Sequence, residues 1–355
     1  WQGEVYDARK EVAGWAEPGF TGEGWTAAAE TGRSEYYADQ YGEKFDTFHK
    51  GMENGTPMGL LTAQSEPPIR VVKTLEPVNV DKEAKAGTIV YDFGQEFTGI
   101  CRVTVKGKAG DVITLRHGEW LNEEKMNNVD NVVGTVWTRN LLGAQATDRY
   151  ILKGDAAGEV FEPGFTFHGF RYMEIFDIPE SVEIVKVEGL ALSSDLETTG
   201  SYECSNENVN QLVANAMWSQ IDNFIGIPVD CPQRSERYGW TGDAEVYSRS
   251  GSYNANVEAF YANFVKIMQS QQYPDHGNMV GDIVPAGGWG TWGQNIGNDS
   301  NIWSDAMVII PWNLYQQYGS TAIIERAWDG MKGWTDRMIK TSEEEGDQIW
   351  RKNEA

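Results

Sequence analysis

Hydrophobic periodicity changes once along the chain, near residue 199. Upstream, short runs alternate apolar and polar residues with a period of two, the spacing of half-buried strands. They fall at Arg70–Thr74, Gly87–Phe93, Ile100–Lys106, Asp111–Arg116, Arg149–Lys153 and Phe170–Phe176. Residues 102–120, RVTVKGKAGDVITLRHGEW, set two such runs around a Gly-containing turn and predict a hairpin. Several strands at this spacing predict an antiparallel β-sandwich domain over 61–198. Residues 1–60 are polar, punctuated by Gly and Pro, and are expected to be part of an N-terminal β domain. The polar stretch 121–147 predicts an extended loop between strands.

Downstream the period becomes 3.6. Ser205 is a candidate cap for a helix carrying Val209, Leu212, Val213, Ala216 and Ile221 on one stripe. A second stripe holds Val257, Phe260, Tyr261, Phe264, Val265 and Met268. A third helix is expected from about Ala306 to Tyr318. A fourth, capped by Ser320, carries Ile323, Ile324, Ala327, Met331, Trp334 and Met338. Trp312, Trp328 and Trp334 are expected to fill the helical core. Strands followed by helices predict separate domains, with 199–355 all-α.

Composition narrows the partners. At 355 residues the chain exceeds one ordinary core. Its net charge of −24 argues against nucleic acid or an anionic membrane as partner. No apolar run reaches the ~18–20 residues that span a bilayer. Cys101, Cys204 and Cys231 are too sparse for a disulfide framework and are expected free and buried. The four histidines are scattered, and the Asn/Asp-rich stretch near residue 130 lacks calcium-loop spacing, so neither metal nor cofactor is expected. The 14 Trp suit a large core or, equally, a surface that stacks on sugars. The chain starts at Trp1 without a leader-like segment, which reads as a piece of a longer protein and leaves the compartment open, cytoplasmic or exported.

Candidate chemistry concentrates in residues 230–243, DCPQRSERYGWTGD. Asp230, Glu236 and Asp243 share this stretch with Arg234, Arg237 and Trp240, while Pro232, Gly239 and Gly242 preclude a long helix. A carboxyl such as Glu236, beside apolar Tyr238 and Trp240, can keep its proton and serve as a general acid; the adjacent arginines pull the other way. The plainer reading is a surface salt-bridge cluster with Asp243 as a helix cap. The Gly/Trp-rich loop 281–303 contains GxGxxG at Gly288, Gly290 and Gly293, but Trp289 and Trp292 would crowd a phosphate, and no helix follows directly. Trp289, Trp292 and Trp303 are better suited as stacking walls for a sugar. Asp305 is either a helix cap or an acceptor for ligand hydroxyls.

Residues 230–243 resemble the signature of the bacterial α-L-rhamnosidases of the inverting, (α/α)₆-barrel type. The likeness extends to GEVYDAR near the N-terminus, DFGQEFTG (92–99), GEWL (118–121), FEPGFTFHGFRYMEI (161–175), CSNENVNQLVANAMWSQIDNF (204–224) and WSDAMVIIPWNLYQQYG (303–319). It implies β-sandwich domains followed by an (α/α)₆ catalytic barrel, incomplete here. It further implies that Glu236 is the general acid and that Asp230, Arg234, Trp240, Asp243 and Trp303 surround the rhamnose. Ser235 departs from the Asp often found there. A twelve-helix barrel does not fit in the residues after position 200, so the catalytic base is expected to lie outside this chain, which alone would be inactive. The resulting unfinished apolar face would favour association, including a homo-oligomer. Two alternatives stand beside this reading: a non-catalytic carbohydrate-binding protein, and a hydrolase of the same scaffold acting on another sugar.

Overall fold

The computed structural model describes residues 1–27, 63–124, 132–272, 277–285, 301–344 and 346. Two compact units are present: Trp1–Arg9 with Ser65–Ala355, and Lys10–Gln64. In the smaller unit the described residues form successive turns, with Phe20 and Trp25 edge to face at 5.5 Å. Trp1–Arg9, expected in a separate N-terminal domain, instead joins the main sheet.

That sheet contains β1 (Val5–Asp7), β2 (Ile69–Leu75), β3 (Asn79–Asp81), β4 (Ile89–Lys106), β5 (Val112–Gly118), β8 (Thr147–Ile151), β9 (Glu159–Phe161), β10 (His168–Phe176) and β11 (Glu183–Ser194). Its order is β1-β8-β5-β10-β4-β11-β2, with β3 and β9 also on β4. The expected sandwich is thus one hydrogen-bonded sheet that curls. Strand β4 is 18 residues long and serves both halves: its start pairs with β3 and β10, its end with β9 and β11. Register shifts in β10 and β11 add local twist where the sheet turns. The expected hairpin of residues 102–120 does not form, because β10 lies between β4 and β5. The stretch 121–147 is more ordered than an extended loop: β6 (Trp120–Leu121) pairs with β7 (Val136–Trp137), and a 3₁₀ turn follows at Arg139–Leu141.

Inside the curl, Phe97 and Phe170 pack at 4.4 Å among Val103, Leu115, Tyr150 and Met173. Each fully buried side chain of this size contributes about 1.5–3 kcal/mol by leaving water. Buried His117 and His168 also meet here, stacked at 4.3 Å. His168 Nε2 lies 3.0 Å from Asp148, and His117 Nδ1 donates to the Ala146 carbonyl. Burial, then the neighbouring imidazole, lowers His117 to about 3, so it is neutral. The three residues are close enough to suggest ligands. However, rings only 18° from parallel do not direct their lone pairs to one point, so the cluster reads as a packed polar core.

The helices are α1 (Glu207–Asn223), α2 (Thr241–Asn254), α3 (Glu258–Ser270), α4 (Asn301–Ser304), α5 (Ala306–Tyr318) and α6 (Ala322–Glu344). Asn206, one residue after the expected Ser205, caps α1 by accepting from Asn208 N. The α3 stripe is buried as expected, and packs with Phe224, Met307, Ile310 and Trp334. Trp312 and Trp328, expected in the core, are instead 48% and 56% exposed. Helix α2 is expected only in the alternative that makes Asp243 a cap: its buried face is Thr241, Gly242, Ala244, Ser248, Gly251 and Ser252, too small and polar to read as a stripe. Of the cysteines only Cys101 is fully buried; all three are free. Among the described residues no helix is long and apolar enough to cross a membrane.

Sheet and helices meet at α1. Trp218 packs on the sheet core, and Thr98 N donates to Asp222 Oδ1 at 3.0 Å. Burial raises Asp222 to about 7, and Glu96 beside it is also raised. A carboxyl raised in the native state binds more protons there than in the unfolded chain, so stability falls as pH rises from about 4 to about 7. We expect Asp222→Asn, which keeps the acceptor for Thr98, to flatten the fall in melting temperature between pH 5 and pH 8. Parallel melting curves for parent and variant across that range would rule out this contribution.

Candidate active site

Residues 229–240 leave the short hairpin β12 (Phe224–Ile225) and β13 (Ile227–Pro228) and form a closed loop before α2. Its neck is two backbone bonds, Asp230 N to Tyr238 O at 2.8 Å and Arg237 N to Asp230 O at 3.1 Å. Cys231 and Arg237 both hold left-handed backbone, at φ 49° and 68°, which turns the chain sharply at each side of the neck. Gly239 follows because nothing larger fits: a Cβ there would lie 2.2 Å from the Val284 carbonyl. Gly239 O accepts from Val284 N, and Thr241 binds the carbonyls of Gly281 and Asp282. One side of the loop is thereby held by residues 281–284.

The other side rests on the sheet. Ser235 N and Oγ donate to the carbonyls of Leu141 and Leu142, Oγ at 2.7 Å. Ser235 is therefore turned toward the 3₁₀ turn, and its hydroxyl meets a carbonyl that an aspartate at this position would repel. Arg237 Nη2 donates to Phe167 O at 2.7 Å, and its guanidinium lies 4.0 Å from the centre of the Phe167 ring. Burial pushes Arg237 down to about 10.

Between these anchors sits Glu236. Arg234 forks onto its Oε2 through Nε at 2.9 Å and Nη2 at 2.7 Å, and Trp240 Nε1 donates to Oε1 at 2.8 Å. Burial works to raise this carboxyl, but the Trp240 and Arg234 hydrogen bonds outweigh it and hold Glu236 below the usual range. The opposite holds for Asp243, in the first turn of α2, which partial desolvation and then the Asp230 carboxylate raise. Asp243 is not the helix cap; Trp240 occupies that position.

A cleft of about 460 Å³ opens beside the loop, within the ~300–1,000 Å³ range of small-ligand sites. Asp230, Trp240, Asp243 and Trp303 line it, together with Asn223, Tyr247 and Ile302. Trp240 and Trp303 form an aromatic corner, their rings 6.5 Å apart and inclined by 60°. Gly242 permits it, because a Cβ there would lie 2.8 Å from the Trp303 ring. Arg234 and Glu236 are not part of the lining; Glu236 reaches the wall through its bond to Trp240. All six sequence-expected residues are thus brought together, four on the cleft and two directly behind it. Trp289, Trp292 and the GxGxxG glycines lie outside the described residues.

Two side chains behave differently from expectation. Asp305 precedes α5 but makes no cap bond; its Oδ1 accepts from Trp334 Nε1 at 2.9 Å. Glu245 was not singled out, yet burial, then the charge of Asp305, raises it to about 7. Its signal, an acid two positions after Asp243, is hidden because no apolar stripe marks α2. Asp230, Cys231 and Glu236 lie close enough to suggest metal ligands. The Arg234 fork already neutralises Glu236, however. The Cys231 thiol is pushed up to about 12, by burial first and then by Asp230 and Glu236, and stays protonated. The set is poorly suited to hold a cation.

Comparison with known proteins identifies relatives of this chain. Residues 197–354 match the model of the bacterial alpha-L-rhamnosidase 6 hairpin glycosidase domain, and residues 82–193 match that of the bacterial alpha-L-rhamnosidase concanavalin-like domain. An alpha-L-rhamnosidase of Streptomyces avermitilis is 35% identical over 96% of this chain and 29% of its own length. One from Formosa agariphila is 31% identical over 97% of this chain and 33% of its own. The chain therefore spans about a third of the length of these relatives. Among solved structures, the alpha-L-rhamnosidase of Dictyoglumus thermophilum superposes with a TM-score of 0.79 at 33% identity, over 96% of this chain and 34% of that one. The Streptomyces avermitilis enzyme, complexed with L-rhamnose, gives 0.79 at 35% identity over 96% of this chain and 29% of that one. With two models of one family matched in succession across the sheet and the helices, this chain belongs to the bacterial alpha-L-rhamnosidase family.

Proposed function

We propose that the protein to which this chain belongs is a glycoside hydrolase that removes terminal α-L-rhamnose with inversion, and that Glu236 is its proton donor. The observation that carries this reading is Glu236 itself, set between a guanidinium fork and the indole of an aromatic, carboxylate-bearing cleft wall. Trp240 and Trp303 offer flat faces to a sugar ring. Asp230 and Asp243 accept hydrogen bonds from its hydroxyls. Helices α1–α6 are the first part of an (α/α)₆ barrel. In inverting hydrolysis a second carboxylate, about 6.5–9.5 Å from the acid, activates water. We assign that role to no residue of this chain.

The ligand-free acid is ionised, because both of its oxygens already accept hydrogen bonds. Protonation at Oε2 requires the Arg234 fork to move, since a carboxyl hydrogen and two guanidinium hydrogens cannot share that oxygen. A sugar entering the cleft supplies the cause. It excludes water, which favours the neutral carboxyl, and its hydroxyls offer Arg234 alternative acceptors. Glu236 then takes up a proton and delivers it to the glycosidic oxygen. The neutral substrate is in keeping with the net charge of −24 carried by this chain, which has no general attraction for anions.

Two measurements test this. In the full-length protein, Glu236→Gln should lower kcat on a phenyl α-L-rhamnoside by at least ~10²-fold, while calorimetry still shows L-rhamnose binding. Turnover near the parent rate would remove Glu236 from the acid role. Arg234→Met should raise the acid's pKa, so the alkaline limb of kcat/KM moves up by about one pH unit, whatever happens to its height. A limb that stays in place or moves down would show that Arg234 does not hold the proton donor.

A further inference from the structure

We infer that Arg237 is a positioning residue, and that the β-sheet domain, through the start of β10, sets where Glu236 points. The inference rests on the reading of Glu236 as proton donor. Arg237 follows Glu236 directly, yet its side chain turns the other way, into the sheet. Its Nε donates to Pro232 O within the same loop at 2.8 Å, and its Nη2 donates to Phe167 O beside β10. Among the described residues no carboxylate pairs with it. A half-buried guanidinium that binds carbonyls and an aromatic face contributes little attraction for a substrate; its geometry is that of a strap.

The strap fixes the acid through the backbone. Arg237 has φ 68°, so anchoring its side chain in the sheet settles the direction of the preceding peptide and hence the side of the loop on which Glu236 emerges. A second, independent contact lies next to the first. The strand passes so close under the loop that a Cβ on Gly169 would meet Gln233 at 2.7–2.9 Å, backbone atoms included. On its other side this stretch of strand is held in the core by His168 against Asp148. Loop, strand and buried His–Asp pair thus form one rigid stack behind the proton donor. A shift of about 1 Å at a reacting group is enough to cost ~10²-fold in rate.

The test uses the full-length protein and two substrates, a phenyl α-L-rhamnoside, whose leaving group needs a proton, and α-L-rhamnosyl fluoride, whose leaving group does not. Arg237→Lys keeps the charge but cannot reach both carbonyls. Gly169→Ala alters no polar group and wedges the loop from the strand. Both are expected to lower kcat on the phenyl glycoside by ~10–100-fold with KM little changed, and to leave the fluoride within about threefold of the parent. Ser235→Ala, which removes one hydrogen bond at the loop's far edge, should give a smaller loss of the same kind. Glu236→Gln is the reference: it should fail on the phenyl glycoside and retain the fluoride. If Glu236→Gln turns over both substrates normally, the assignment of the acid falls and this inference with it. If Glu236→Gln behaves as expected, the inference alone is overturned by parent-like kcat in Arg237→Lys and Gly169→Ala. Equal losses on both substrates in these two variants would overturn it as well, since a general loosening of the fold does not discriminate between leaving groups.

Discussion

Two arginines flank the same carboxylate in the sequence, and only one of them touches it. Arg234 and Arg237 stand two residues before and one after Glu236, and a flexible loop would let both compete for its oxygens. The closed neck between Asp230 and Tyr238 prevents that by setting opposite directions for the two side chains. Arg234 comes back onto Glu236; Arg237 goes to the sheet. The wall of the cleft depends on this division. Trp240 can use its indole on Glu236 only because the carboxylate is presented on the helical side, and Trp303 can lie against Gly242 only because α2 starts where the loop delivers it.

The strands were readable as strands because period-two alternation reports a buried face, and the six expected runs overlap five observed strands. Their partners were not readable, because alternation contains nothing about which neighbour supplies the hydrogen bonds. The 102–120 stretch shows this: both runs are strands, but the sheet inserts β10 between them. Two expected runs, Gly87–Phe93 and Ile100–Lys106, overlap one strand, β4, which passes through a Gly-containing irregularity where its register with β10 jumps from Asp92 to Phe97. Helix α2 was hidden for a different reason. Its inner face packs on α5 through Ser248 to Asn313 and the Ser252 carbonyl to Gln317, so close approach rather than apolar area joins the two helices. A hydrophobicity pattern cannot report a helix whose contact is made of small and polar groups.

The site was more legible than the fold because its residues lie close together in sequence, and a short loop keeps such neighbours together in space. Composition alone identified Asp230, Glu236, Trp240 and Asp243 as a cluster; the resemblance to a family supplied their roles. What the residues could not reveal was the ionisation state. Burial and two donors act on Glu236 in opposite senses, and which wins depends on distances of about 2.7–2.9 Å. The expectation that adjacent arginines lower the carboxyl proved half right: one does so by direct contact, and the other is occupied elsewhere.

Electrostatics also suggests why such a loop is built between two domains. At the junction three carboxyls have raised affinity for protons, Glu96 and Glu119 on the sheet side and Asp222 on α1. The helical side carries Asp243, Glu245 and Asp305, also raised. Glu236 differs from these six, lowered by its hydrogen bonds from Trp240 and Arg234. Moving one guanidinium would therefore return it to the behaviour of its surroundings. On the proposed reading of Glu236 as proton donor, a local exchange of hydrogen bonds is enough to turn the stored carboxylate into an acid. That exchange can be local only if the backbone does not move with it, and the anchoring of the loop on both domains provides that rigidity.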